Sequence, residues 1–162
     1  MLVVAGPTDP IPDLELEKID QYLNQGGRLL VLFRYKSAGK QIGLEKLLAK
    51  WGVEVGFNVV EDPDHTISGQ DVIVDKFSNH PVMNGLLLSS LHLLLPRSIS
   101  RLAPPAQTAD APRVEEIALS GPRSYLNGDK AHRQAVPLIV AVEKGIKGVV
   151  TERGTTRMIV VG

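Results

Sequence analysis

The sequence contains no cysteine. That single absence excludes disulfides, thiolate metal sites and a cysteine nucleophile together. An excess of charge of either sign is missing too, since 18 Lys and Arg balance 18 Asp and Glu. With no basic field to draw in a polyanion, nucleic acid is not expected as a partner. No apolar run approaches the roughly 18–20 residues that cross a bilayer. The longest, Leu86 to Leu95, is interrupted by Ser89, Ser90 and His92. No signal peptide is read ahead of the first apolar run. Neither a Gly-x-Gly-x-x-Gly loop nor a Gly-Lys-Ser/Thr loop occurs, and nucleotide binding is not expected. The four histidines share no ligand spacing, so no metal and no cofactor are expected.

What is present is the pattern of one α/β domain. The 162 residues are 43% apolar and 22% charged, enough for a single core spanning 1–162. The segment Leu2 to Phe33 organises the rest. Leu2-Val3-Val4-Ala5 is a short apolar run ending at Gly6-Pro7. A helical pattern follows from Asp13 to Asn24, with Leu16, Ile19 and Leu23 on one face and Gly26-Gly27 as its stop. Arg28 to Phe33 is a second apolar run. Two such runs joined by an amphipathic helix predict a βαβ unit whose strands are parallel and buried on both faces. Asp13 is expected to cap the helix, with Glu15 and Glu17 near its positive end.

Further along, Leu44, Leu47, Leu48 and Trp51 predict a helix from about Gly43 to Lys50. Val53–Val60 is a predicted strand, bent at Gly56, followed by loop from Glu61 to Gly69. Asp71–Val74, Leu91–Leu95, Val114–Leu119, Val136–Val142 and Arg157–Val161 read as further strands. Pro137 is placed at the start or edge of its strand. Leu86–Leu95 is expected to be buried. The proline-rich segment from Leu102 to Arg113 reads as a surface loop, and Lys144 to Thr155 as a hairpin connection with room for a short extra strand. A strand at each end of the sequence suggests a piece of a longer protein.

Each candidate for chemistry has a structural reading beside it. His80 precedes Pro81, which holds it extended, and is expected to cap local backbone. His92 falls in an apolar run and reads as a hydrogen-bonded core residue. Glu61, Asp62 and Asp64 form an acidic cluster that reads as a solvated loop. Ser120 or Ser124 with His132 offers the least unsatisfactory serine hydrolase, but no Gly-x-Ser-x-Gly elbow supports it. No catalytic residue is assigned. In open α/β sheets ligands meet the carboxyl ends of parallel strands. That places the candidate ligand- or partner-binding residues at Gly6, Pro7, Thr8 and Asp9 after the first strand, and at Arg34 and Lys36 after the second.

Several stretches share a family pattern: Val3-Val4-Ala5-Gly6-Pro7-Thr8, Leu16 through Tyr22-Leu23, and Gly26-Gly27-Arg28-Leu29-Leu30-Val31-Leu32. Leu47-Leu48 with Trp51-Gly52-Val53, then Asn79-His80-Pro81, then Arg157 to Gly162 follow in the same order. Together they resemble the extracytoplasmic domain of auxiliary proteins of uncharacterised ABC-type transport systems, including the gliding-motility-associated component. The resemblance implies a flavodoxin-like or class I glutamine amidotransferase-like fold, a mainly parallel sheet with flanking helices, incomplete at both ends. The catalytic cysteine of those amidotransferases has no counterpart here. The resemblance further implies a non-catalytic accessory domain, anchored at the membrane and facing the periplasm. Its implied partners are the permease and ATPase components. The alternatives are a serine-dependent hydrolase and a scaffold that pairs through a bare sheet edge, as a homo- or heterodimer.

Overall fold

Parallel strands need a crossover of a dozen or more residues, usually a helix, whereas antiparallel strands join through turns. After Lys50 the sequence offers no further α-helical pattern, and the topology follows from that. The computed structural model describes residues 1–102, 111–146 and 154–162. Its elements are β1 (Leu2–Ala5), α1 (Asp13–Asn24), β2 (Arg28–Leu32), α2 (Leu44–Lys50), β3 (Val53–Glu61), β4 (Asp71–Val74), β5 (Leu91–Leu94), β6 (Arg97–Arg101), β7 (Arg113–Leu119), β8 (Tyr125–Leu126), β9 (Pro137–Gly145) and β10 (Thr155–Val161).

The main sheet has five strands in the order β1-β2-β10-β9-β7. The predicted βαβ unit is there, with β1 and β2 parallel and Val3 opposite Leu30. β10 then runs parallel to β2 and antiparallel to β9, and β9 pairs antiparallel with β7. Two smaller sheets, β6-β3-β8 and β4-β5, pair antiparallel throughout. The expected flavodoxin-like or amidotransferase-like, mainly parallel sheet is therefore corrected. The fold is a mixed, sheet-rich α/β arrangement in which, among the described residues, parallel pairing is confined to β1, β2 and β10.

Alternate residues of the main sheet feed two cores, as the two-residue repeat of a strand requires. Leu29, Val31, Val140, Val142, Met158 and Val160 face α1, α2, β3 and β6, where they meet Leu23, Leu48, Val53 and Ile99. Ile139, Ala141, Ile159 and Val161 face the other way, toward Val72, Val74 and Met83. Gly26 (φ +85°) ends α1 and Gly43 (φ +93°) precedes α2, both in the left-handed region that favours glycine.

Several local expectations are corrected as well. β1 is an edge strand with Leu2 and Val3 exposed, so it is not buried on both faces. Pro12 occupies the cap position of α1 and no side chain caps it. A proline ring offers no side-chain acceptor, and the Pro12 carbonyl instead accepts from the N–H groups of Glu15 and Leu16, at 2.9 and 3.1 Å. Leu87 and Leu88 are exposed, as is His92, whose ring lies 3.9 Å from Asp71 at the surface. The Leu86–Leu95 run is therefore only partly buried: Leu86, Leu91 and Leu93 pack against the second core, while Leu87, Leu88 and Leu94 face solvent. β6 and β8 were not foreseen, because Arg97-Ser98-Ile99-Ser100-Arg101 carries one apolar side chain. β3 shifts register between Val55 and Val59, around the bend expected at Gly56. Most of the predicted 102–113 loop and the 144–155 connection lies outside the described residues.

Candidate functional site

The carboxyl ends of β1 and β2 lie side by side, and the loops leaving them touch. Gly6 N–H donates to Leu32 O at 2.7 Å, and Gly6 holds φ +62°. A Cβ added to Gly6 would lie 3.1 Å from Arg34 Cβ. The two predicted loops thus form one surface. Pro7 and Thr8 are half-buried, and Thr8 Oγ1 donates to Asp9 Oδ2 at 3.2 Å. Asp9, Arg34 and Lys36 are exposed. The Arg34 guanidinium sits 5.9 Å from the centre of the Tyr35 ring. Among the candidates, the structure brings one carboxylate and two cations to this edge: Asp9 in the first loop, and Arg34 and Lys36 at the start of and within a short 3₁₀ turn at Tyr35–Ser37.

That turn is held from beneath by a residue the sequence did not announce. Ser37 is fully buried, and its N–H and hydroxyl both donate to Arg34 O, at 2.8 and 2.7 Å. Its own carbonyl accepts from Arg97 Nη1 at 3.4 Å. Arg97 is fully buried between the rings of Phe33 and Phe57. Nε donates to Gly56 O at 2.6 Å and Nη1 to Glu45 Oε1 at 3.1 Å, while Nη2 has no partner among the described residues. Burial pushes the guanidinium pKa down, and the Glu45 carboxylate opposes that shift. Arginine is the cation best suited to such a place, because a planar guanidinium stacks on rings and forks to several acceptors. Nothing in the run Arg97–Arg101 distinguishes this arginine from the solvated one at its other end.

The acidic cluster after β3 is engaged rather than solvated. Asp62 is buried and accepts from the N–H groups of Gly121 at 2.7 Å, Asp64 at 3.1 Å and His65 at 3.3 Å. His65 Nδ1 lies 3.1 Å from its Oδ2. Burial raises the Asp62 pKa, but the bonds from Gly121 and Asp64 outweigh it, and the net shift is downward. Asp64 pairs with Arg123 through two bonds of 2.5 and 2.7 Å. Glu61 accepts from Tyr125 at 2.7 Å, which raises the phenol pKa. Each carboxylate has a structural partner. Among the described residues, no group of three or more ligating side chains converges on a metal site.

The serine and histidine candidates are likewise held apart. Ser120 Oγ accepts from Val136 N–H at 2.9 Å. Ser124 is fully buried beside Asp62, whose charged form it favours, without a hydrogen bond of good geometry. His132 is exposed and paired with Asp129 at 2.8 Å. These three residues do not form a nucleophile–base–acid relay, which needs the base to bridge the other two. His80 does what was expected, its Nδ1 accepting from Val82 N–H at 3.2 Å.

Comparison with curated proteins finds no match. Two solved structures share the fold. One, titled mmIFT52 N-terminal domain, has a TM-score of 0.67 at 16% identity, covering 99% of this chain and 64% of that one. The other, a ThuA-like protein from Bacteroides uniformis, has a TM-score of 0.50 at 16% identity, covering 99% of this chain and 58% of that one. The chain thus spans less than two thirds of either structure, and at this identity the likeness concerns the fold alone. The family described as ABC-type uncharacterized transport system matches residues 1–162, the whole sequence. The chain belongs to that family.

Proposed function

We propose that this domain is a non-catalytic, partner-binding module on the extracytoplasmic face of its transport system, akin to the gliding-motility-associated components. Its contact edge is the surface made by Gly6, Pro7, Thr8 and Asp9 with Arg34 and Lys36; the permease is the partner it touches, and the ATPase component joins the assembly through the permease. The observation that carries this reading is the juxtaposition of Gly6 with Arg34, which merges two loops into one exposed, charged surface. Sheets of this kind present their binding loops at the carboxyl ends of parallel strands. Ser37 and Arg97 hold the Arg34–Lys36 turn against the core, so its two cations are presented on a rigid support.

Co-purification from cells expressing the whole transport system tests this. Reversing both charges, Arg34→Glu with Lys36→Glu, is expected to abolish recovery of the permease with this protein while leaving its thermal midpoint unchanged. Equal recovery would overturn the assignment of this edge. The orientation is tested separately. Lys18→Cys, on the exposed face of α1 and outside that edge, introduces a thiol into a sequence that has none, and a membrane-impermeant maleimide is expected to label it in intact cells. Labelling only after lysis would refute the extracytoplasmic placement.

A further inference from the structure

Among the described residues, Leu95 alone has a positive φ without being glycine, at +48°. A left-handed leucine is strained, because its Cβ crowds the following carbonyl. Pro96 adds to the strain, since the residue before a proline favours extended backbone. Packing of the side chain does not account for it: Leu95 is half-buried and belongs to neither core. Such strain persists only where the surroundings over-determine the backbone, and it gathers at functional sites.

Two hydrogen bonds clamp this corner. Leu95 N–H donates to Gln70 O, and Val60 N–H donates to Pro96 O, both at 2.8 Å. The chain arrives from β5, in one small sheet, and leaves as β6, in the other. Arg97 is the first residue of β6. The facing strand is irregular at the same level: four steps on β3, from Val55 to Val59, span two on β6, from Ile99 to Arg97. A bulge re-aims side chains and releases backbone groups from the ladder. Here Gly56 O accepts from Arg97 Nε at 2.6 Å, and Phe57 O accepts from Gly39 N–H at 2.9 Å. The Phe57 ring covers the Arg97 guanidinium, whose Nη1 reaches Ser37 O. Corner and bulge thus converge on one loop, Arg34 to Lys40, which they hold through Ser37 and Gly39.

We infer that Leu95 is a positioning residue for the contact edge. Its left-handed backbone sets where β6 begins, and so aims Arg97 beneath the loop that carries Arg34 and Lys36. Its relevance to the partner rests on the reading of that loop as part of the contact edge; its effect on the loop does not.

Two variants separate backbone from side chain. Leu95→Ile keeps the apolar volume, but a β-branched residue is an outlier in the left-handed region. Leu95→Asn discards the apolar side chain and tolerates that region. Proton–nitrogen spectra of the protein report the Arg97 Nε–H, which lies under two rings, and the Gly39 amide. Both signals are expected to move in Leu95→Ile and to stay in place in Leu95→Asn, with the Val140 amide in the main sheet unmoved in each. Signals kept by Leu95→Ile and lost in Leu95→Asn would show that side-chain packing matters instead, and overturn the inference. Movement in both variants, or in neither, overturns it too. Loss of the wild-type signals in Leu95→Asn is sufficient alone, should Leu95→Ile not fold. Recovery of the permease is expected to fall with Leu95→Ile and hold with Leu95→Asn. Signals that move as expected with recovery unchanged would uphold the positioning and count against the contact edge.

Discussion

Arg97 and Glu45, 52 residues apart, form an ion pair of 3.1 Å in which the arginine side chain is fully shielded from water. The pair ties β6 to α2 beneath the Arg34–Lys36 turn. Removing one partner of such a pair strands a charge and costs about 3–5 kcal/mol. Glu45→Ala is expected to lose stability on that scale in urea unfolding. The double variant Arg97→Met with Glu45→Leu is expected to lose less than Glu45→Ala alone, since it leaves no uncompensated charge. A double variant worse than the single would show that the arginine's bonds to Gly56 and Ser37, rather than its charge, dominate.

Asp71 governs part of the acid stability. Its carboxylate accepts from the Ser68 hydroxyl at 2.6 Å, from Ser68 N–H at 2.8 Å and from the Thr66 hydroxyl at 2.8 Å. These bonds hold its pKa far below the ordinary carboxylate range. A depressed folded-state pKa contributes stability above the unfolded value of about 4, and that contribution is lost as pH falls toward the folded pKa. Asp71→Asn is therefore expected to destabilise more at pH 7 than at pH 3 in urea titrations. An equal loss at both values would refute the linkage.

Gly121 approaches the Asp62–His65 pair more closely than any side chain allows. A Cβ there would lie 2.5 Å from His65 Nδ1 and 2.6 Å from Asp62 Oδ2. Gly121→Ala is expected to displace the imidazole and cost about 1–3 kcal/mol. The His65 ring resonances in proton–nitrogen spectra report the displacement. An unshifted ring with unchanged stability would contradict the packing described.

Ser120 is a structural serine on this geometry. Ser120→Ala leaves the buried Val136 N–H without its acceptor and is expected to cost about 1–3 kcal/mol. Replacement by threonine, which keeps the hydroxyl, is expected to recover part of that loss. Turnover of ester or amide substrates by the wild type, abolished in Ser120→Ala, would restore the hydrolase alternative.

Local order was legible in the sequence where one residue type determines the backbone. The βαβ unit, the glycine stop at Gly26, the bend in β3 and the His80 cap are examples. Pairing direction was not legible. Buried parallel and central antiparallel strands share the same continuous apolar runs, so Val136–Val142 looks alike in either. The Leu86–Leu95 run misled for a different reason, since apolar content without a clear period does not say which side chains find a core. At the candidate edge, the loops were visible through their position after apolar runs. Their support was not, because Arg97 meets Phe33, Glu45, Gly56 and Phe57 only across long stretches of chain.

β10 follows every other described strand in chain order yet is the middle strand of the five. During synthesis the β1–α1–β2 unit and the β7–β9 pair therefore emerge as two unjoined halves. The ladder that unites them cannot begin until Thr155 leaves the ribosome. Until then each half shows an open strand edge, Arg28–Leu32 on one side and Pro137–Gly145 on the other. Such edges invite pairing with other chains. Slowing translation just before Thr155 would lengthen that exposure, and in this topology the delay before β10 emerges sets how long the two halves are vulnerable to misassembly.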